Sequence, residues 1–377
     1  MKSKKLIWIV LFEDFEVDGR VQRQIKALSD DYDVLVYSVT SKDIRSNYLN
    51  SRFIKIGSTT GFVRSLIELL KYVTFTKEKP DLVIFNNIYT IPALILFKLF
   101  FRKSKLIYDS HELIVPDPIT KHSIASRKSI FLERIGVKLS DLVFCTNEKR
   151  SDLMQQYYDL PKRPTSIENF VDIEPCNKYD EKNHKKYHKD KVKFLYQGVL
   201  KEGRYLYELV EAFSACKKSE LHIYGFGAIE KELISLSSNN DSLNKSVFFH
   251  GKISREQLYT NTRSYDVGLV VYDFSNMNNK YCSPNKTSEY VLSGLPILCT
   301  PQESLIELID SYRIGAYFPL ELLELGKKTE LAQFIDEFCD SVDDYNKNVF
   351  SSRKYLDFNS QSKKIKNVVT SLLGTDK

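Results

Sequence analysis

Short apolar runs rich in Val, Ile, Leu, Phe and Tyr recur along the chain, and between them lie stretches of 10–20 residues with helical spacing. That alternation predicts parallel sheets wrapped by helices. In the first half the runs predict strands at residues 6–12, 33–39, 81–87, 105–110, 141–146 and 164–168. Their near-continuous hydrophobicity suits a sheet covered on both faces. Helices are expected between them, among them 19–29, with Val21, Ile25 and Leu28 on one face, and 62–75, with Phe62, Leu66, Leu69, Leu70 and Val73. Residues 175–191 are charged and nearly free of aliphatics, which reads as a linker. A second strand series follows at 193–198, 220–225, 247–251, 266–272 and 295–300. The organisation expected is an N-terminal Rossmann-like domain (1–174), a polar linker (175–192), a second Rossmann-like domain (193–349), and a C-terminal helix (350–377) crossing back to the first domain.

Composition narrows the class without changing this picture. With 42% hydrophobic residues, 23 tyrosines and 23 phenylalanines in 377 residues, the chain has too much apolar surface to stay unfolded. The N-terminus offers only seven mostly apolar residues, 6–12, before Glu13 and Asp14, a buried strand in place of a signal peptide. The apolar run 91–99 is interrupted by Lys98 and is too short to span a bilayer. Six cysteines show no CxxC pair and no histidine at zinc-finger spacing, the pattern of reduced core thiols in a cytoplasmic protein. The net charge of +6 suits anionic partners but is modest for a nucleic-acid binder, and no nucleic acid is expected.

The densest chemistry lies in Ser283-Pro284-Asn285-Lys286-Thr287-Ser288-Glu289-Tyr290, followed by Gly294. Pro284 can open a helix and Gly294 can close it in the left-handed conformation. The helix start offers free N–H groups and a partial positive charge to an anion, with Asn285 and Lys286 in its first turn. Glu289 follows one turn later on the same side, placed to meet vicinal hydroxyls, although a capping acid on an ordinary helix would look the same. Strand 193–198 ends in Gln197-Gly198 and leads through Gly203-Arg204 into a helix at 205–213, a turn suited to a diphosphate. Gly225-Phe226-Gly227 after the next strand makes a second tight turn, where backbone can approach a flat ring. Neither GxGxxG nor a Walker loop is present, which weakens dinucleotide and P-loop readings.

Six segments in order carry a resemblance: Asp18-Gly19-Arg20-Val21, Tyr108-Asp109-Ser110-His111-Glu112, Asn169-Phe170-Val171-Asp172, the Gly198 to Arg204 turn, Ile223-Tyr224-Gly225-Phe226-Gly227, and PNKTSEYVLSGLPIL. Over nearly its full length the chain resembles the retaining glycosyltransferases of GT-B fold, of the glycosyltransferase family 4 (glycosyl transferases group 1) type. The resemblance implies an α/β fold with two Rossmann-like doubly wound domains facing a central cleft, and a nucleotide-sugar donor as substrate with no cofactor and no metal. It implies that Glu289 holds the ribose hydroxyls, that Arg204 faces the diphosphate with Lys286 assisting, and that Asp18, Gly19 and Arg20 lie under the donor sugar and phosphates. It also implies that His111 lines the donor sugar and assists departure of the phosphate. The alternative for His111 is a loop histidine tied to Asp109 or Glu112, and the motif favours the functional role. Tyr281 stands where the family's first motif glutamate is expected, so contacts to the sugar ring would fall to neighbours such as Asn278 or Asn279.

The function expected is transfer of a sugar to a saccharide or lipid-linked acceptor in surface polysaccharide or glycan synthesis. Two alternatives remain: a non-catalytic GT-B-fold subunit that binds acceptor or steadies a partner enzyme, and, ranked last, a nucleotide-sugar epimerase of similar architecture. The run 91–105, with Lys98, Arg102, Lys103 and Lys105 and no acid, together with the amphipathic 61–79, suits an anionic membrane surface at the inner face of the plasma membrane. A sheet-covering helix would carry the same pattern.

Overall fold

The computed structural model describes residues 4–39, 51–55, 62–117, 124–172, 191–238, 246–254, 257 and 261–374. The chain divides into two compact units: Met1–Asn169 with Asn359–Lys377, and Phe170–Phe358.

The first unit is built on a seven-stranded sheet of order β3-β2-β1-β4-β5-β6-β7, in which every pairing is parallel. Its strands are β1 (Leu6–Leu11), β2 (Asp33–Ser38), β3 (Arg52–Lys55), β4 (Leu82–Asn86), β5 (Lys105–Asp109), β6 (Leu142–Cys145) and β7 (Thr165–Ser166). Between them run α1 (Gly19–Leu28), α2 (Phe62–Phe75), α3 (Ile91–Phe100), α4 (Ile124–Leu139) and α5 (Glu148–Tyr158). Ile7 to Leu11 and all of β4 are buried, as the unbroken apolar runs required. Trp8 packs against Tyr37, Phe97 and Phe101, with ring centroids 5.1, 5.8 and 6.2 Å away.

The second unit repeats the plan with six parallel strands in the order β10-β9-β8-β11-β12-β13. They are β8 (Val192–Gln197), β9 (Ser219–Tyr224), β10 (Val247–Gly251), β11 (Val267–Val270), β12 (Ile297–Cys299) and β13 (Gly315–Tyr317), with α6 (Leu206–Ala215) and α7 (Glu230–Ser238) among the connections. In both sheets the order reverses beside the first strand of the unit, and ligands of such folds gather at the carboxyl ends of the strands at that switch point.

Two strands escape the apolar pattern. The β3 strand sets Arg52 and Lys55 on either side of two adjacent apolar residues, and β13 reads Gly-Ala-Tyr; both are short sheet edges. The unit boundaries fall at 169/170 and 358/359, against the 174/175 and 349/350 read from composition. The reason is local: Val171 N–H donates to Ser288 Oγ (3.0 Å), and Phe358 N–H donates to the Val171 carbonyl (3.0 Å), so both crossings are tied into the second unit. Apart from residues 191 and 192, the expected linker lies outside the described residues. The helix Phe358–Leu373 belongs to the first unit from Asn359 onward: Tyr32 and Thr370 share a hydrogen bond of 2.8 Å, and Lys5 Nζ donates to the Leu373 carbonyl. Among the described residues no helix is long and apolar enough to cross a membrane.

Candidate functional site

At the switch point of the second unit a cavity of about 460 Å³ lies between the β8–α6 turn and the start of the helix Asn285–Leu292. Gly198 leaves β8 with φ +148°, and a side chain there would approach Lys286 Nζ at 3.3 Å; the glycine keeps that space for the ammonium. Gly203 (φ +79°) lets the turn close on β11's exit, with Asp273 N–H donating to the Gly203 carbonyl (3.1 Å). Arg204 follows, its guanidinium 3.9 Å from the centroid of the Tyr272 ring, with Nη1 donating to Gly203 O (2.9 Å) and facing Asn279 Oδ1 at 3.4 Å. This stacking directs the cation into the cavity wall at little entropic cost.

The opposite wall is the helix start. Pro284 occupies the N-cap in extended conformation and supplies no capping acceptor, so the first-turn N–H groups have no side-chain cap. Lys286 sits in that turn, 4.6 Å from the Tyr196 ring and 5.3 Å from the Tyr272 ring. Among the described residues its ammonium meets these two ring faces and no hydrogen-bond acceptor. Burial, reinforced by Arg204 and opposed by Glu289, pushes its pKa down to about 7. One turn on, Glu289 Oε2 accepts from Gln197 Nε2 at 2.7 Å. The helix is pinned by Tyr290, whose hydroxyl accepts from Gln197 N–H (3.1 Å) and donates to the Leu195 carbonyl (3.2 Å). Its ring lies where a Cβ on Gly268 would sit, 2.2 Å away, so only glycine fits there. Gly294 ends the helix at φ +90°, as its position suggested.

Of the residues expected to bind the donor, Gly198, Arg204, Asn285, Lys286 and Glu289 line this one cavity. Gly225 and Gly227 do not. A Cβ on Gly225 would fall 1.9 Å from the Gly198 carbonyl oxygen, and one on Gly227 would fall 2.1 Å from that of Leu200, so both glycines let the two turns pack. Tyr196, Gln197 and Tyr272 also line the cavity and carry no sequence signal beyond an aromatic or polar residue at a strand end. Two basic side chains, a helix start with no side-chain cap and one carboxylate a turn away give this cavity the chemistry to take an anion flanked by hydroxyls.

A second polar cluster occupies the switch point of the first unit. Asp18 caps α1, accepting from the N–H groups of Arg20 (2.9 Å) and Val21 (3.0 Å), and Gly19 opens the helix. Arg20 is buried and bidentate to Asp109, at 2.8 and 2.7 Å, and also donates to Ile167 O, Asn169 Oδ1 and Cys145 O. The phosphate contact expected of Arg20 therefore gives way to an internal one, because the guanidinium's donors are spent tying the ends of β5, β6 and β7 to α1. Asp109 is likewise committed. His111 lies in the same cluster, with Nε2 3.3 Å from Asn86 Oδ1 and 3.8 Å from Asp109 Oδ2, and Nδ1 3.7 Å from Asp18 Oδ2. Its carbonyl accepts from Arg150 (3.1 Å). On the same strand end, Tyr108 (2.6 Å) and Ser110 (2.8 Å) donate to fully buried Glu133, whose pKa burial raises to about 7.

Residues 214–327 match the family model of the glucosyltransferase 3-like, C-terminal domain, a stretch that includes Lys286 and Glu289 and stops short of Arg204. No curated protein sequence matches the chain. Among solved structures it is similar to sucrose-phosphate synthase from Thermosynechococcus elongatus, at 13% identity and TM-score 0.73, covering 98% of this chain and 99% of that one. It is also similar to Anabaena HepE in complex with UDP-glucose (14%, TM-score 0.65, 97% and 99%). The UDP-forming α,α-trehalose-phosphate synthase from Burkholderia xenovorans is a further likeness (10%, TM-score 0.69, 99% and 100%). The chain has the GT-B fold. Both units are of the parallel, Rossmann-like kind that fold requires.

Proposed function

We propose that this chain is a glycosyltransferase, retaining and of family 4 type, that moves a sugar from a nucleotide-sugar donor to a saccharide or lipid-linked acceptor in surface polysaccharide or glycan synthesis. The observation that carries the reading is the cavity in which Arg204, Lys286 and the uncapped helix start converge with Glu289 one turn away. The Anabaena HepE structure, which shares this fold and is in complex with UDP-glucose, lends support.

Breaking the bond between the anomeric carbon and phosphate leaves positive charge on the sugar ring, while the bonding electron pair departs with the diphosphate. Arg204, Lys286 and the helix N–H groups stabilise that departing charge more than the bound ground state, so the reaction proceeds without a metal. Glu289 receives the ribose hydroxyls. His111 lines the sugar. The acceptor hydroxyl attacks from the face the leaving group vacates and passes its proton to the departing diphosphate oxygen as the new glycosidic bond forms, which retains configuration.

In the first unit, α3 ends in exposed Leu99 and Phe100, followed by exposed Arg102 and Lys103. Lys98 and Lys105, by contrast, both approach Asp141 at 3.6 Å, which narrows the basic face to Arg102 and Lys103. These four residues form the surface through which the protein meets anionic lipid. Tyr281, in place of an acid, favours a second reading, a non-catalytic subunit that binds acceptor or supports a partner.

One assay separates these readings. Incubation with nucleotide sugars and polyprenyl-linked or free saccharides in the presence of EDTA should yield free nucleotide and a glycosylated acceptor. An altered nucleotide sugar would instead identify an epimerase, and ligand binding without turnover across a broad panel would identify the non-catalytic subunit.

A further inference from the structure

Asn86, the last residue of β4, is completely buried, and its side chain is held from two sides. Its Oδ1 accepts from Gln24 Nε2 at 2.8 Å, and its Nδ2 donates to the Val10 carbonyl at 3.4 Å. Gln24, in α1 and 2% exposed, also donates from Nε2 to Asp109 Oδ2. Electrostatics fixes this amide. Turning it over would press Oε1 against the Asp109 carboxylate, and the orientation adopted leaves that buried Oε1 with no partner among the described residues. With Gln24 donating, Asn86 Oδ1 is an acceptor on both sides.

The hydrogen between Asn86 Oδ1 and His111 Nε2, 3.3 Å apart, must then belong to the imidazole. Asp109 Oδ2, 3.8 Å from the same nitrogen, adds a second oxygen on that side. Nδ1 is left 3.7 Å from Asp18 Oδ2, beyond hydrogen-bond length, and keeps its lone pair in the neutral ring. Resting on the glycosyltransferase reading for the role of His111, we propose that Asn86 and Gln24 are positioning residues that hold His111 as its Nε2–H tautomer and thereby fix which ring nitrogen carries the proton during sugar transfer. Neither residue touches the substrate in this account; both act through the imidazole.

Two-bond proton–nitrogen spectra of histidine-labelled protein at alkaline pH read the tautomer directly, with His111 assigned by a His111→Gln variant. The parent ring should be Nε2–H. Asn86→Ala, which removes the acceptor, and Gln24→Met, which frees the Asn86 amide to turn over, should each bring in the Nδ1–H form while thermal melting confirms the fold. In transfer assays both should lower kcat, Asn86→Ala by roughly tenfold or more, with donor KM within about twofold, since a wrong tautomer damages chemistry and spares binding. A parent ring in the Nδ1–H form, or variants that keep Nε2–H and parental kcat, would overturn the proposal. A parent protein that transfers no sugar would refute the functional reading, and the spectra would still decide the positioning role.

Discussion

Lys286 should couple proton binding to donor binding if it holds the diphosphate as proposed. With no anion present, burial and Arg204 hold its ammonium at about 7, where an exposed lysine titrates near ~10.4. A nucleotide sugar's diphosphate diester keeps two negative charges throughout this range, and placing it beside Lys286 restores the protonated form. At pH 7.5 the free site is about one-quarter protonated, so binding should take up about 0.75 proton. Uptake should fall to about 0.1 at pH 6 and approach one at pH 9. Affinity should drop roughly 16-fold between pH 7 and 8.5, about 1.6 kcal/mol. Calorimetric titration in buffers of different ionisation enthalpy, using the nucleotide sugar that most raises the melting temperature, measures the proton directly. Lys286→Met should bind more weakly, with no uptake and little pH dependence. The folded pKa lies below the unfolded one, so the unfolded chain binds more protons between about 7 and ~10.4, and stability should rise with pH across that window. Uptake below about 0.2 proton at pH 7.5, or equal uptake in Lys286→Met, would refute the placement of Lys286 at the diphosphate.

Arg204→Ala should leave the fold intact and lower kcat/KM at least about 30-fold, for a loss of roughly 2–4 kcal/mol of transition-state stabilisation; steady-state rates matching the parent would contradict the assignment. Glu133, raised to about 7, binds a proton in the folded state between the unfolded value near ~4.3 and about 7, so stability should fall by about 3 kcal/mol as pH rises through that window. Urea denaturation should show the fall in the parent and its absence in Glu133→Gln. Replacing Arg102 and Lys103 with Gln should weaken binding to anionic vesicles by about 1 kcal/mol per charge at low salt, and a parent that binds no vesicles would end the membrane reading.

Central strands such as β1, β4 and β8 were legible because burial on both faces demands unbroken apolar runs. The edges β3 and β13 were hidden, since a strand of three or four residues with one covered flank needs no such run. The local spacing of Lys286 and Glu289 within one helix survived intact, and the glycine turn brought Arg204 to the same cavity. What sequence could not show was assembly across elements. The Tyr196 and Tyr272 rings under the two basic side chains leave different strands, and Asn86 at the end of β4 meets both His111 and, from α1, Gln24. An arginine aimed at a ligand reads the same as one satisfied inside, as Arg20 is by Asp109 and three carbonyl or amide oxygens. Gly225 and Gly227 answer to the Gly198 and Leu200 carbonyls, a steric demand that exists only once two strands lie side by side.

The most direct test is an experimental structure with a nucleotide sugar bound. The diphosphate should sit within hydrogen-bonding distance of Arg204, Lys286 and the first-turn N–H groups of the helix Asn285–Leu292, with both ribose hydroxyls on Glu289. A nucleotide bound outside the cavity, or one whose phosphates contact neither Arg204 nor Lys286, would contradict the account.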